Sequence, residues 1–192
     1  MSWDYLFNYG KGNTIDFTKL NGLVGIFGKN YSGKSSIIDA ALFGMFNTTS
    51  KGERKNVHII NQNQDKAKCR INIGIGDDTY KITRTLERTK TSAKTNLDFS
   101  LVTPGTKPES KNGTSRTETD SNIQSTIGTY RDFIMTSLAA QHDSFGFINE
   151  GSTKRKEILA KFLDLDIFDD MHKAAKKDSA EMRGYIKHLI GS

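Results

Sequence analysis

Apolar and polar positions divide the chain into stretches of different period. Residues 3–9 and 13–17 are short runs on either side of Gly10-Lys11-Gly12, which predicts two strands around a turn. Leu23-Val24-Gly25-Ile26-Phe27 is an apolar run ending against glycine, the pattern of a buried strand. Residues 34–46 carry an apolar face at helical spacing, and Lys51 to Asn56 is a polar connection. Cys69 to Ile75 alternates, and Tyr80 to Leu86 follows after Gly76-Asp77-Asp78. This predicts a hairpin with a tight turn.

Residues 89–126 change character: they are rich in Thr, Ser, Lys and Asn and hold Pro104 and Pro108. A mobile surface loop is predicted there, with a strand only at the apolar island Leu97 to Val102. A helix is predicted from Tyr130 to about Ala140, then a turn at Asp143 to Gly146. A second helix starts near Thr153 and carries Ile158, Leu159, Phe162 and Leu163. Beyond Asp164, Met171, Ala175, Asp178, Met182, Tyr185 and Leu189 follow one another alternately four and three apart, a heptad seam that predicts the start of a coiled coil. The expected organisation is one lobe over 1–165, a coiled-coil helix over 166–190, and Gly191-Ser192 as a cloning remnant or the start of an engineered linker.

Charge adds a direction to this frame. The 28 Lys and Arg exceed the 22 Asp and Glu, so the 192-residue chain carries +6 with a pI near 9.3. A basic balance favours polyanions such as nucleotides or nucleic acid. Lys51, Arg54 and Lys55, and again Lys154, Arg155 and Lys156, form basic clusters, with Lys90, Lys94, Lys107, Lys111 and Arg116 spread through the Thr/Ser-rich segment. Each reads first as a solvated face and secondly as a contact to phosphodiester backbone. Cys69 is the single cysteine, which excludes an internal disulfide and fits a reducing, cytoplasmic setting. No apolar run approaches spanning length and Met1-Ser2-Trp3-Asp4 lacks the features of a signal peptide, so no membrane is expected. His58, His142, His172 and His188 have no metal-ligand spacing, and no zinc is expected.

The chemistry concentrates at Gly28-Lys29-Asn30-Tyr31-Ser32-Gly33-Lys34-Ser35, which fits G-x-x-x-x-G-K-[ST] between an apolar run and a helix start. In that order, backbone N–H groups of Asn30, Tyr31, Ser32, Gly33, Lys34, Ser35 and Ser36 can cradle phosphates. The helix N-terminus adds a positive dipole end, and Lys34 a point charge for the β- and γ-phosphates. The Ser35 hydroxyl is a hard oxygen ligand for Mg²⁺. ATP and Mg²⁺ are the expected cofactors. Hydrolysis also needs a carboxylate for the metal and a group that orients water. No run of four apolar residues followed by Asp-Glu occurs. Gly76-Asp77-Asp78 reads as a hairpin turn, and the carboxylates of Leu163-Asp164-Leu165-Asp166 as helix caps. The chain thus holds half of a hydrolytic site.

The order of features resembles the N-terminal segment of SbcC-type ATPases, the SMC-like subunit of a DNA end-processing nuclease, and is similar to the large subunit of the phage recombination endonuclease. Three stretches carry the resemblance: Asn8-Tyr9 through Phe17 with Leu23 to Phe46; Ile59-Ile60-Asn61 with the hairpin ending Tyr80-Lys81-Ile82-Thr83-Arg84; and Leu138-Ala139-Ala140-Gln141 continuing through Phe147-Ile148, Arg155 and Phe162 to Phe168. The resemblance implies an α/β fold: a P-loop ABC-type ATPase half-head with an antiparallel hairpin region, a Q-loop helical segment and the base of a coiled coil. It implies a C-terminal half supplying the signature motif, Walker B carboxylates and switch histidine. It implies a second head joined as an ATP-sandwiched homodimer, an SbcD-like nuclease subunit, and double-stranded DNA. By position it makes Gln141 the Q-loop glutamine at Mg²⁺ and the attacking water, and Asn61 a neighbour of the base or ribose. The residues alone make Gln141 a solvated helix-end side chain. Lys11 stands near the place of a family arginine beside the nucleotide, and Tyr31 where glycine is usual. Two other readings stay open: a transporter-type nucleotide-binding domain and a non-hydrolysing P-loop regulatory module.

Overall fold

The structure is a computed structural model that describes residues 1–51, 55–138, 150–163 and 165–190. The chain divides into two compact units, Met1–Phe133 and Ile134–Ser192.

The first unit is built on one six-stranded antiparallel sheet. In spatial order its strands are β2 (Asn13–Thr14), β1 (Ser2–Asp4), β3 (Lys66–Ile75), β4 (Asp78–Arg88), β5 (Ala93–Val102) and β6 (Glu109–Ser110). The expected hairpin is the centre of the sheet: β3 and β4 pair from Lys66↔Glu87 to Ile75↔Asp78 around Gly76, whose φ of 60° suits its tight turn. Alternation puts Ala67, Cys69 and Ile71 of β3 on one face, with Ile82, Arg84 and Leu86 of β4 beside them, all buried.

Two helices cover that face. α1 (Lys34–Phe46) packs on β3 and β4, and α2 (Arg116–Ile127) on β5. α1 crosses the sheet at Gly44, where a Cβ would collide with Ile71 and lie 2.8 Å from Cys69 Sγ. The main cluster joins Trp3, Leu6, Ala40, Phe43, Ile59 and Ile60 to Cys69, Ile71 and Leu86; a second joins Ile82, Phe99 and Ile123. Burial between α1 and β3 pushes the Cys69 thiol from its ordinary 9.0 up to about 12.

Arg84 lies between the two clusters and is fully buried. Its Nε donates to the Gly44 carbonyl at 2.9 Å, and its Nη2 to the Met45 carbonyl at 3.1 Å and to Asp120 Oδ1 at 2.6 Å. The guanidinium thus satisfies carbonyls that α1 leaves open at its C-terminus, where the helix dipole is negative. Burial pulls its pKa below the ordinary value, and Asp120 on α2 opposes that shift.

Four expectations need correction. The runs 3–9 and 13–17 form only the short strands β1 and β2, since Tyr5 and Phe7 take left-handed backbone and Phe17–Lys19 is a 3-10 helix. Residues 23–27 form no strand: Leu23 is 103% and Phe27 93% exposed, and every described ladder is antiparallel among other residues. A strand of that kind owes its stability to neighbours on both sides and helices on both faces, and none of the described strands pairs with it. The Thr/Ser-rich segment 89–126 is not a loop with one strand: it contains β5, β6 and α2. Ser115 caps α2 by accepting from Glu118 N–H at 3.1 Å, and Glu118 Oε2 accepts in return from the Thr114 backbone and hydroxyl. The helix from Tyr130, α3, ends at Thr136 rather than about Ala140. The predicted turn at 143–146 lies outside the described residues.

In the second unit, α4 spans Ser152–Phe162 and α5 Asp166–Ile190. α5 is a single 25-residue helix with an apolar row that includes Met171, Met182, Tyr185 and Ile186, all exposed. Among the described residues, no helix is long and apolar enough to cross a membrane.

Candidate functional site

The segment Gly28 to Ser35 turns tightly before α1. Tyr31 and Gly33 both take left-handed backbone, with φ of 62° and 93°. Gly33 is the N-cap of α1 and offers no side-chain acceptor to the first turn, so an anion there meets helix N–H groups and the positive dipole end. Lys34 folds back over the loop, its Nζ donating to the carbonyls of Gly28 at 2.8 Å and Lys29 at 2.7 Å.

An open cleft of about 410 Å³ lies at this turn, lined by Asn8, Asn30, Tyr31, Gly33, Lys34, Ser35 and Ser36. Six of the residues expected to bind cofactor are therefore gathered in one place. The group fits a polyphosphate with its cation: an ammonium folded over the loop, backbone donors at a helix start, and the exposed Ser35 hydroxyl as a hard ligand.

The other expected residues fall elsewhere. Ser32 is in the loop, its N–H donating to the Lys29 carbonyl at 3.3 Å, but it does not line the cleft. Lys11 is exposed on the turn before β2 and does not line it either. Asn61 lines an adjoining cavity of about 510 Å³ that shares Asn8 with the cleft. Its side chain serves the fold, since Nδ2 donates to the Tyr9 carbonyl at 3.2 Å and Oδ1 accepts from Asn63 N–H at 3.0 Å. Gln141 lies outside the described residues, as do His142, Phe145 and Phe147. In the second unit, Lys154, Arg155 and Lys156 are exposed on α4, with Lys154 Nζ 3.4 Å from Glu150.

Two residues missed by motif reading belong to the site. Asn8 Nδ2 donates to the Tyr31 carbonyl at 3.3 Å, and the Tyr9 hydroxyl donates to the Gly33 carbonyl at 2.7 Å. The sequence grouped positions 8 and 9 with the loop only through the resemblance; the contacts themselves, more than twenty residues apart, come from the path of the chain.

Comparison with known proteins places this geometry in context. A family model described as an AAA domain matches residues 4–190. An uncharacterized protein, R555, of Acanthamoeba polyphaga mimivirus is 33% identical over 190 residues, which is 95% of this chain and 14% of that protein. A DNA double-strand break repair Rad50 ATPase of Sulfolobus acidocaldarius is 41% identical over 64 residues, 33% of the chain and 7% of the relative. Another protein of that description, from Thermoplasma volcanium, is 27% identical over 146 residues, 73% of the chain and 15% of the relative. The chain thus spans about one seventh or less of each of these relatives.

Proposed function

The chain belongs to the AAA domain family, and on that footing we propose that it is the ATP-binding half of an ATPase head of the Rad50 and SbcC type. The observation that carries the reading is the cleft at the start of α1, where Lys34, Ser35 and two left-handed loop residues converge. When bound, Mg²⁺ supplies charge neutralisation of the phosphates. Ser35 would hold it, Lys34 would hold the β- and γ-phosphates, and the N–H groups of the loop would orient them, those of Ser32 and Ser36 being spent on the Lys29 and Gly33 carbonyls until nucleotide competes for them.

Hydrolysis in this reading needs a second segment carrying the Walker B carboxylates and signature motif. The exposed run Leu23 to Phe27 supports such a partner: it is an apolar strand sequence, immediately before the P-loop, with which no described strand pairs. A segment that brings parallel neighbours completes the sheet and the site together. Gln141 then senses Mg²⁺ and the attacking water, and Asn61 and Lys11 flank the nucleoside. Two heads close around ATP, the exposed row of α5 begins a coiled coil, and the assembly governs access of a nuclease subunit to double-stranded DNA.

Replacing Lys34 with Ala in the full-length protein tests the reading. Nucleotide binding, measured by calorimetry with Mg²⁺ and a non-hydrolysable ATP analogue, is expected to fall at least about tenfold, while the melting temperature without nucleotide stays at the wild-type value. A loss of one charge-assisted contact to phosphate, about 1.5–3 kcal/mol, sets that scale. Unchanged affinity defeats the ATP assignment. Binding without turnover in the full-length protein favours the regulatory-module reading.

A further inference from the structure

A loop that binds anions through its N–H groups must dispose of its carbonyls elsewhere. The peptide unit is trans and planar, so a carbonyl held outward aims the next N–H the opposite way. The left-handed residues Tyr31 and Gly33 are the two loop positions whose carbonyls receive donors from Asn8 and Tyr9. The Gly33 carbonyl is held from two sides, by the Ser36 N–H at 2.9 Å and by the Tyr9 hydroxyl at 2.7 Å, and the Lys34 N–H of the same peptide unit points away from it.

Tyr9 is itself held by three contacts. The Tyr9 N–H donates to Leu6 at 2.9 Å, its carbonyl accepts from Asn61 Nδ2 at 3.2 Å, and its ring meets Trp3 edge to face at 5.2 Å between centroids. Tyr5 and Phe7, just before them, have φ of 56° and 52°, left-handed values unfavourable to non-glycine residues. Strain of this kind persists where the surroundings impose it, and it gathers at ligand sites. The Tyr9 phenol, ordinarily protonated at neutral pH and pushed further up by partial burial, donates its hydrogen.

We propose that Asn8 and Tyr9 form a strap that sets the P-loop in its phosphate-binding form, with Tyr9 a positioning residue acting through the Gly33 carbonyl. This rests on the ATP reading above and names the part of the fold that pre-organises that site. Because the loop is already set before nucleotide arrives, loss of the strap weakens binding and spares the steps after it.

The test uses the full-length protein, with Tyr9→Phe, Asn8→Ala and, as control, Lys34→Ala. Affinity for a non-hydrolysable ATP analogue with Mg²⁺ is measured by calorimetry, KM and kcat by steady-state turnover, and melting without nucleotide by calorimetry. Tyr9→Phe keeps the ring against Trp3 and deletes only the hydroxyl. It is expected to weaken binding about 3- to 10-fold, the effect of one hydrogen bond, raising KM while kcat and apo melting hold. Asn8→Ala, at an exposed site, is expected to act in the same direction to a smaller extent and carries the test alone if Tyr9→Phe melts early. If Lys34→Ala abolishes binding while Tyr9→Phe and Asn8→Ala leave it unchanged, the strap is overturned and the ATP reading stands. If Lys34→Ala binds like wild type, both fall.

Discussion

At the scale of single residues, Arg84 shows how a charged side chain comes to be a core residue. Isolated burial of a guanidinium is costly, and the site offsets it with two helix-end carbonyls and a carboxylate. Removing one member exposes the imbalance. Arg84→Ala is expected to destabilise the first unit by about 3–5 kcal/mol. Asp120 is partly solvated, with 24% of its side chain exposed, so water relieves some of its loss. Asp120→Ala is expected to cost less, about 1.5–3 kcal/mol. Urea denaturation of both variants and the double variant checks this. A double-variant loss equal to the sum of the two single losses would show that the pair is not coupled.

At the scale of elements, α2 depends on local capping more than on an apolar stripe, since Thr119 and Ile123 are its only buried residues. Ser115→Ala is expected to cost about 1 kcal/mol of stability, read as a lower denaturation midpoint with an unchanged slope. The return arm of the cap is pH-dependent. Hydrogen bonds from the Thr114 hydroxyl and then its N–H hold the Glu118 pKa below the ordinary carboxylate value. A depressed folded pKa contributes stability above the unfolded value of about 4.3, lost as pH falls through the folded one. The deficit of Glu118→Gln is therefore expected at neutral pH and to vanish in acid. A deficit that persists at pH 2 would assign Glu118 a packing role instead.

For the whole molecule, the +6 charge and exposed basic cluster at Lys154 to Lys156 bear on nucleic acid. Binding through phosphates releases counterions, so affinity for double-stranded DNA in the ATP-bound, full-length protein is expected to fall steeply with salt and vary little with sequence. Replacing the three cluster residues with alanine should flatten the plot of log affinity against log salt by up to about 2.7, three contacts at roughly 0.9 each. Titrations at several salt concentrations, with and without nucleotide, give that slope. A wild-type affinity indifferent to both salt and nucleotide would remove DNA from the proposed function.

The tight turn from Gly28 to Ser35, α1 and the β3–β4 hairpin were legible in the sequence because each depends on neighbours close along the chain. Glycine spacing sets the loop, an apolar run begun at a glycine N-cap sets α1, and alternation with a glycine turn sets the hairpin. The cap of α2 was legible too: Ser115-x-x-Glu118 before Ile123 is a capping box, overshadowed by the polar composition around it. Burial of Arg84 was not, because a basic residue in an alternating strand reads as solvent-facing until helix-end carbonyls and Asp120 arrive from other elements. The exposed state of 23–27 and the grip of Asn8 and Tyr9 on the loop were likewise decided in three dimensions. An apolar run becomes a buried strand only beside partner strands, and a carbonyl is satisfied by whichever donor the chain's path brings within about 3 Å.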